Sequence, residues 1–182
     1  GRLAAPSLAA THPAEVGTLA AKPDASAASI AVLPFVDMSQ AKDQEYFSDG
    51  LSEELLNQLA QLPQLRVIAR TSSFAFKDKE VGIADIARIL KVAHVLEGSV
   101  RKSGGRVRIT AQLVDGATSD NVWAERYDRD LNDIFALQDE ISQAIVKALK
   151  LKLLPEEKKA IEQRGTDNVD AYNLYLMARR NY

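Results

Sequence analysis

Residues 92–128, VAHVLEGSVRKSGGRVRITAQLVDGATSDNVWAERYD, constrain the fold most, because they read as three successive strands and so dictate a sheet that the rest of the chain must cover. Gly104 and Gly105 mark the first turn, since a two-residue hairpin loop calls for positive φ at both central positions and glycine adopts that without steric cost. That loop sets the register. Ser103 faces Arg106, and the ladder runs back through Val100 with Ile109, Gly98 with Ala111 and Leu96 with Leu113. Between these lie Arg101 with Arg108, Ser99 with Thr110 and Glu97 with Gln112, so one face is core and the other polar. A loop at 115–121, rich in Asp, Gly, Thr, Ser and Asn, leads into a third strand at 122–127. There Val122, Ala124 and Arg126 share one face and Trp123, Glu125 and Tyr127 the other. The pattern leaves both sets credible as core, with Trp123 expected to be substantially buried.

The elements before the hairpin must cover this sheet or extend it. The run at 29–35 is short and continuously apolar, bounded by Pro34 and Asp37, and predicts an inner strand. Leu51, Leu55, Leu59 and Leu62 then recur at helical spacing, with Asp49 or Ser52 as candidate cap and Pro63 as stop. A second strand is predicted at 65–69, and strand, helix and strand at this spacing imply a parallel pair with a right-handed crossover. Ile83, Ile86, Ala87 and Leu90 define another covering helix. The longest helix is expected over 130–154, striped by Ile134, Leu137, Ile141, Ile145, Ala148 and Leu149. The fold predicted is a single α/β domain with a mixed five-stranded sheet in the order β-α-β-α-β-β-β-α, parallel among its first strands and antiparallel among the last three. Residues 1–28, dominated by Ala, Pro, Ser and Thr, read as a disordered linker. The domain spans 29–154. Residues 155–182 read as a helical connector and a final helix after Asp167, which carries Tyr172, Tyr175, Leu176 and Tyr182.

Composition narrows the function classes. The 23 Lys and Arg against 25 Asp and Glu give a net charge of -2, so no global field favours nucleic acid or an anionic membrane. The absence of cysteine rules out disulfides, zinc–thiolate sites and thiol nucleophiles. No stretch approaches the ~20 apolar residues that span a bilayer, and no secretory signal is visible. A chain opening on Gly1 reads as a fragment or a processed product.

Candidate chemistry is sparse. His12 and His94 have no other ligand-type His or Cys nearby in sequence, and His94 reads as structural. Glu97 and Glu125 lie on neighbouring or nearby strands and could form the carboxylate pair of a glycosyl-transfer site, but nothing beside them would raise one pKa and not the other. With Arg101, Arg106 and Arg108 in the same hairpin, cross-strand ion pairing is the simpler reading. Thr71, Ser72 and Ser73 after the second strand would either hold an anion at a helix start or cap it, and with no glycine-rich loop, capping is expected. No nucleophile elbow, Walker or metal-ligand spacing appears, so neither catalysis nor a metal or cofactor is expected.

The stretches SIAVLPF (29–35), EYFSDGLSEELLNQLAQLPQLRVIARTSSFAFK (45–77), VLEGSVRKSGGRVRITAQLVD (95–115) and WAERYDRDLNDIFALQDEI (123–141) closely resemble, in the same order, the TolB amino-terminal-domain-like modules of bacterial signalling proteins. Two positions depart from that pattern. Relatives often carry an aromatic where His94 stands and a glycine where Ser119 stands. The resemblance implies a non-catalytic interaction or sensory module of a membrane-anchored signalling or transcription-regulatory protein. Such modules follow a cyclase, kinase or winged-helix effector and a membrane span, and precede tetratricopeptide-type repeats. It also implies a periplasmic location. The expected partner is another protein, with Arg101, Arg106, Arg108, Tyr172, Tyr175 and Tyr182 as candidate interaction residues and self-association through the terminal helix expected. Neither nucleic acid nor direct membrane contact is expected. The competing reading is a small-ligand receptor or enzyme using the polar face of 95–127.

Overall fold

The computed structural model describes residues 28–150. The linker 1–27, His12, the last turn of the expected 130–154 helix and the terminal segment with Tyr172, Tyr175 and Tyr182 lie outside the described residues. Along the chain come β1 (Ala28–Val32), β2 (Val36–Asp37), α1 (Glu45–Ala60), β3 (Leu65–Val67), α2 (Arg70–Phe74), α3 (Ile83–Leu90), β4 (His94–Ser103), β5 (Arg106–Asp115), β6 (Asn121–Asp130), a 3-10 turn at Leu131–Asp133 and α4 (Ile134–Ala148). The sheet order is β3-β1-β4-β5-β6, with β2 paired to β4.

This is the mixed α/β domain that the sequence predicts, with one sheet and parallel pairing confined to its first strands. The hairpin register is the expected one, with Val100 opposite Ile109, Arg101 opposite Arg108 and Leu96 opposite Leu113. The strand count differs: six strands replace five because the first is broken. Leu33 still donates its N–H to Leu96 O and Met38 to Val100 O, but Pro34 has no N–H and Phe35 turns its own away from the ladder. The Phe35 N–H donates instead to Ser52 Oγ at 2.8 Å, inside the core. Opposite the break is Gly98, where a Cβ would come within 2.2 Å of Thr110 O and 2.8 Å of the Phe35 ring. The ring occupies the space a side chain at 98 would need.

Other boundaries shift for equally local reasons. Helix α1 begins at Glu45, one to two turns before the expected caps, and its start is held by Asp37, whose carboxylate accepts N–H from Ser39 at 2.9 Å and Gln44 at 2.7 Å. Ser52 is therefore a buried mid-helix residue, not a cap. Thr71, Ser72 and Ser73 fall within the short extra helix α2, which starts after Ala69 without a side-chain cap, and Ser73 Oγ donates back to Ala69 O. The hydroxyl cap expected there is absent. In the hairpin turn only Gly104 has positive φ, at 58°, so the loop follows the type II′ pattern and Gly105 needs no left-handed backbone. The strand β6 runs on to Asp130, and α4 starts only after the 3-10 turn.

The sheet buries one face under α1 and α4. Ile30, Val32, Leu96, Val100, Ile109, Ala111, Leu113 and Tyr127 meet Leu51, Leu55 and Leu59 of α1 and Ile134, Leu137, Ile141 and Ile145 of α4. Trp123 is half-buried against this core while Val122 is exposed, which settles the face of β6. A polar bridge joins the two helices: Ser142 Oγ donates to Gln58 Oε1 at 2.6 Å and Gln58 Nε2 donates to Asp139 Oδ1 at 3.0 Å. A smaller cluster on the opposite face packs Ile86 and Ala87 of α3 against Ala31, Leu33 and Val95. The rest of that face, over β4, β5 and β6, is the polar one.

Candidate functional site

A cleft of about 630 Å³ lies where β1 ends. The chain leaves β1 for α1 on one face and β3, then returns past β1 by way of α3 on the other face to reach β4. The connections from the carboxyl ends of β1 and β3 thus diverge to opposite faces, which opens a crevice there as in other open α/β sheets. Leu33, Phe35, Phe76, Val81, Ile83 and Ile86 give it an apolar lining. Its rim carries Lys42, Lys77, Lys79, Glu45, Asp78, Glu80 and Glu97. Lys42 and Asp78 are in left-handed backbone, with φ of 55° and 61°.

One wall is latched. Lys77 Nζ is salt-bridged to Glu45 and, at 2.5 Å, to Asp49, tying the connection after α2 to the first turns of α1. Burial works against the Lys77 charge, yet the two carboxylates outweigh it and its pKa is raised. Burial also raises the Asp49 pKa despite Lys77, and Asp49 Oδ1 has no hydrogen-bond partner among the described residues. Both pKa values rise, so the charged form is favoured at Lys77 and disfavoured at Asp49, the more deeply buried partner. Asp37, also in the cleft, has a lowered pKa: burial acts to raise it, but Ser39 and the Gln44 N–H overcome that.

The polar face is largely self-paired. Arg106 bridges Asp128 and Asp130, both at 2.8 Å, and Arg108 reaches Asp128 at 2.9 Å. Hydrogen bonds from Arg108 and Arg106 hold the Asp128 carboxyl below the usual range, and those to Asp130 and Asp128 raise Arg106. Arg101 makes no ion pair among the described residues. Arg126, not among the candidate interaction residues, lies on the same face, opposite Thr110, which pairs with Ser99. Glu97 accepts from Gln112 Nε2 at 2.9 Å on this face, whereas Glu125 is opposite Ala111 and so points to the helix-covered side. The postulated carboxylate pair is not assembled. His94 Nδ1 is buried with no hydrogen-bond partner among the described residues; burial lowers its pKa, and the nearby Asp115 only partly offsets this.

Sequence reasoning missed the cleft. Its residues come from segments far apart in sequence, and the one local hint was Pro34 inside an otherwise continuous apolar run. Among the described residues no group of three or more His, Cys, Asp or Glu is placed to hold a metal ion. No helix among them is long and apolar enough to cross a membrane.

The family model for the second domain of HilA/YgeH-like transcriptional regulators matches residues 26–157. Putative adenylate cyclase 3 of Rhizobium meliloti (strain 1021) is 47% identical over 175 residues, covering 96% of this chain and 28% of that protein. The chain thus spans under a third of this relative's length. TolB from Acinetobacter baumannii aligns in structure with a TM-score of 0.50 and 18% identity, over 70% of this chain and 29% of that one. Lipoprotein GNA1162 from Neisseria meningitidis aligns at 0.49 and 20% identity, over 70% and 99%. The likeness to TolB is one of fold.

Proposed function

Since the chain belongs to the family of HilA/YgeH-like transcriptional regulator second domains, we propose that it is a non-catalytic interaction or sensory module that transmits a signal to an effector elsewhere in a longer protein. A signalling or regulatory role is what the family and the name of the cyclase relative both support. The observation that carries the finer reading is the placement of the cleft relative to the chain's entry and exit. β4 and β6 run parallel to β1, and α4 returns from the end of β6. Ala28 and Lys150 therefore lie at one end of the sheet, while the cleft and the Gly104 turn lie at the other. Such a module is held at one end and presents the other.

The polar hairpin face supports the absence of chemistry, because Arg106 and Arg108 are matched by Asp128 and Asp130, and Glu97 and Glu125 are on opposite faces. The effector we propose is a nucleotide cyclase, by analogy with the relative's name, and the location extracytoplasmic, beyond a membrane span. Helical repeats after the domain belong to the same proposal. A second reading, capture of a small ligand, is favoured by the cleft itself.

Three measurements test these proposals. The isolated 182-residue chain should form no cyclic nucleotide from ATP, and its melting temperature should not move with nucleotides, sugars, metal ions or phosphate, since a native-state binder stabilises by mass action. Turnover would overturn the non-catalytic reading. A shift of several degrees with one compound, lost on Phe76→Asp, would put ligand capture in its place. A reporter fused after Lys150 that is active only in the cytoplasm would refute the proposed location.

A further inference from the structure

The sheet has two edges of very different length. β3 contributes three residues to one, whereas β6 forms the other with ten, Asn121–Asp130, and among the described residues pairs only with β5. A long free edge is a template for another strand. Charged residues often protect such edges, and β6 carries Glu125, Arg126, Asp128, Arg129 and Asp130. The order of those charges does more than repel. A two-fold axis normal to the sheet sets same-face residues of two antiparallel copies opposite each other. With the axis at Tyr127, Arg126 meets Asp128 of the second copy and Glu125 meets Arg129, and each pair occurs twice. Moving the axis to Glu125, Arg126 or Asp128 sets that residue against itself, which like charge penalises.

The existing contacts suit this register. Glu125 and Arg126 make no ion pair among the described residues, whereas Asp128 and Arg129 are already positioned by Arg108 and Glu140. The two-residue turn at Gly104 closes on the hydrogen-bonded pair Ser103 and Arg106. By alternation, odd-numbered residues of β6 bond to β5 and even-numbered ones turn their N–H and C=O outward. Those outward residues are the ones a Tyr127 axis pairs, Arg126 with Asp128 and Ala124 with Asp130.

We propose that β6 is a self-recognition edge, through which two copies of this chain join their sheets antiparallel about a two-fold axis at Tyr127. The contact is small, so the dimer is of the weak, transient class.

Charge exchange on the full 182-residue chain tests it, read by sedimentation over a concentration series. Glu125→Arg alone leaves two positive charges facing each other at each pair with Arg129, and Arg129→Glu alone leaves two negative charges facing each other at each pair with Glu125. Each variant should dimerise roughly tenfold more weakly than the native chain, because two exposed attractions become repulsions. An equimolar mixture of the two variants should regain native-like association, since both pairs are then opposite in charge. Melting temperatures of the separate variants show that each is folded. The chain has no cysteine of its own, so a variant carrying both Ala124→Cys and Asp130→Cys offers a second readout, cross-linking as a dimer under oxidation. A native chain that stays monomeric at every concentration overturns the proposal. So does a dimer that Glu125→Arg leaves intact, or a mixture that is not rescued.

Discussion

Replacing Ser52 with alanine tests the account of the broken first strand. The Ser52 hydroxyl is fully buried, accepts the Phe35 N–H at 2.8 Å and donates to Ser48 O at 2.8 Å. Alanine removes the acceptor and leaves the Phe35 N–H buried with no ladder partner, which costs about 1–3 kcal/mol. Losing the donation matters less, because Ser48 O remains within the backbone ladder of α1. Alanine also favours helix by up to ~0.5 kcal/mol, which offsets part of the loss. The net expectation is about 1–2 kcal/mol, or a fall in Tm of roughly 3–8 °C for a domain of this size. Ser48→Ala is the matched control, since Ser48 Oγ only donates to Glu45 O at 3.2 Å, within its own helix. Thermal and urea unfolding at about pH 7, followed by circular dichroism, read both. If Ser52→Ala melts within ~1 °C of the native chain, or no lower than Ser48→Ala, the Phe35 N–H is satisfied elsewhere and the argument for the break is wrong.

Leu55→Ala, Ile109→Ala and Ile145→Ala should each cost about 2–5 kcal/mol in urea unfolding, because all three are fully buried in the main core; a change within ~0.5 kcal/mol would deny the site that role. Ser119 has φ of 65°, so Ser119→Gly should raise stability by up to ~1 kcal/mol, and a loss would show that the loop is not strained there. The lowered His94 pKa means that the folded chain binds this proton less readily than the unfolded one. Its contribution is complete above the ordinary value of 6.5 and is lost as pH falls below it, so native stability should slope downward there and His94→Phe should flatten that slope. Equal slopes in both proteins would place the titration elsewhere. Asp115, lowered chiefly by N–H bonds from Ala117 and Thr118, acts in the same sense at more acid pH: its contribution holds above 3.8 and is lost as pH falls through its lower folded value.

Much of the fold was legible because it is local or periodic. A two-residue loop and alternation with period two leave one register for β4 and β5, since slipping by one residue would turn Val100, Ile109 and Leu113 to solvent. The leucine spacing of α1 and the isoleucine spacing of α4 identified their buried faces for the same reason. The resemblance to TolB-like modules also pointed to a real strain, since the position where relatives carry glycine, Ser119, is left-handed. Arg101, Arg106 and Arg108 lie on the polar face that the alternation predicted, and cross-strand ion pairing was expected there, but the partners were not readable. Arg106 and Arg108 find their carboxylates on β6, twenty or more residues away, and those carboxylates take no part in the hairpin pattern.

What only the tertiary structure decided are the places where polar groups from distant segments satisfy one another. The break after Val32 depends on Ser52 from α1 and on the space at Gly98 from β4, and neither is implied by the run SIAVLPF. The start of α1 is held by Asp37, not by its own first residues, and α1 meets α4 through Gln58, which a hydrophobic stripe treats as a surface position. The cleft exists because connections from neighbouring strand ends depart to opposite faces of the sheet. Periodicity in the sequence determined which side of each element is buried, because burial of an apolar face depends on spacing along a single element. The partner of each buried donor, and the gap left between elements, depend on pairs of elements, and those meet only in the folded chain.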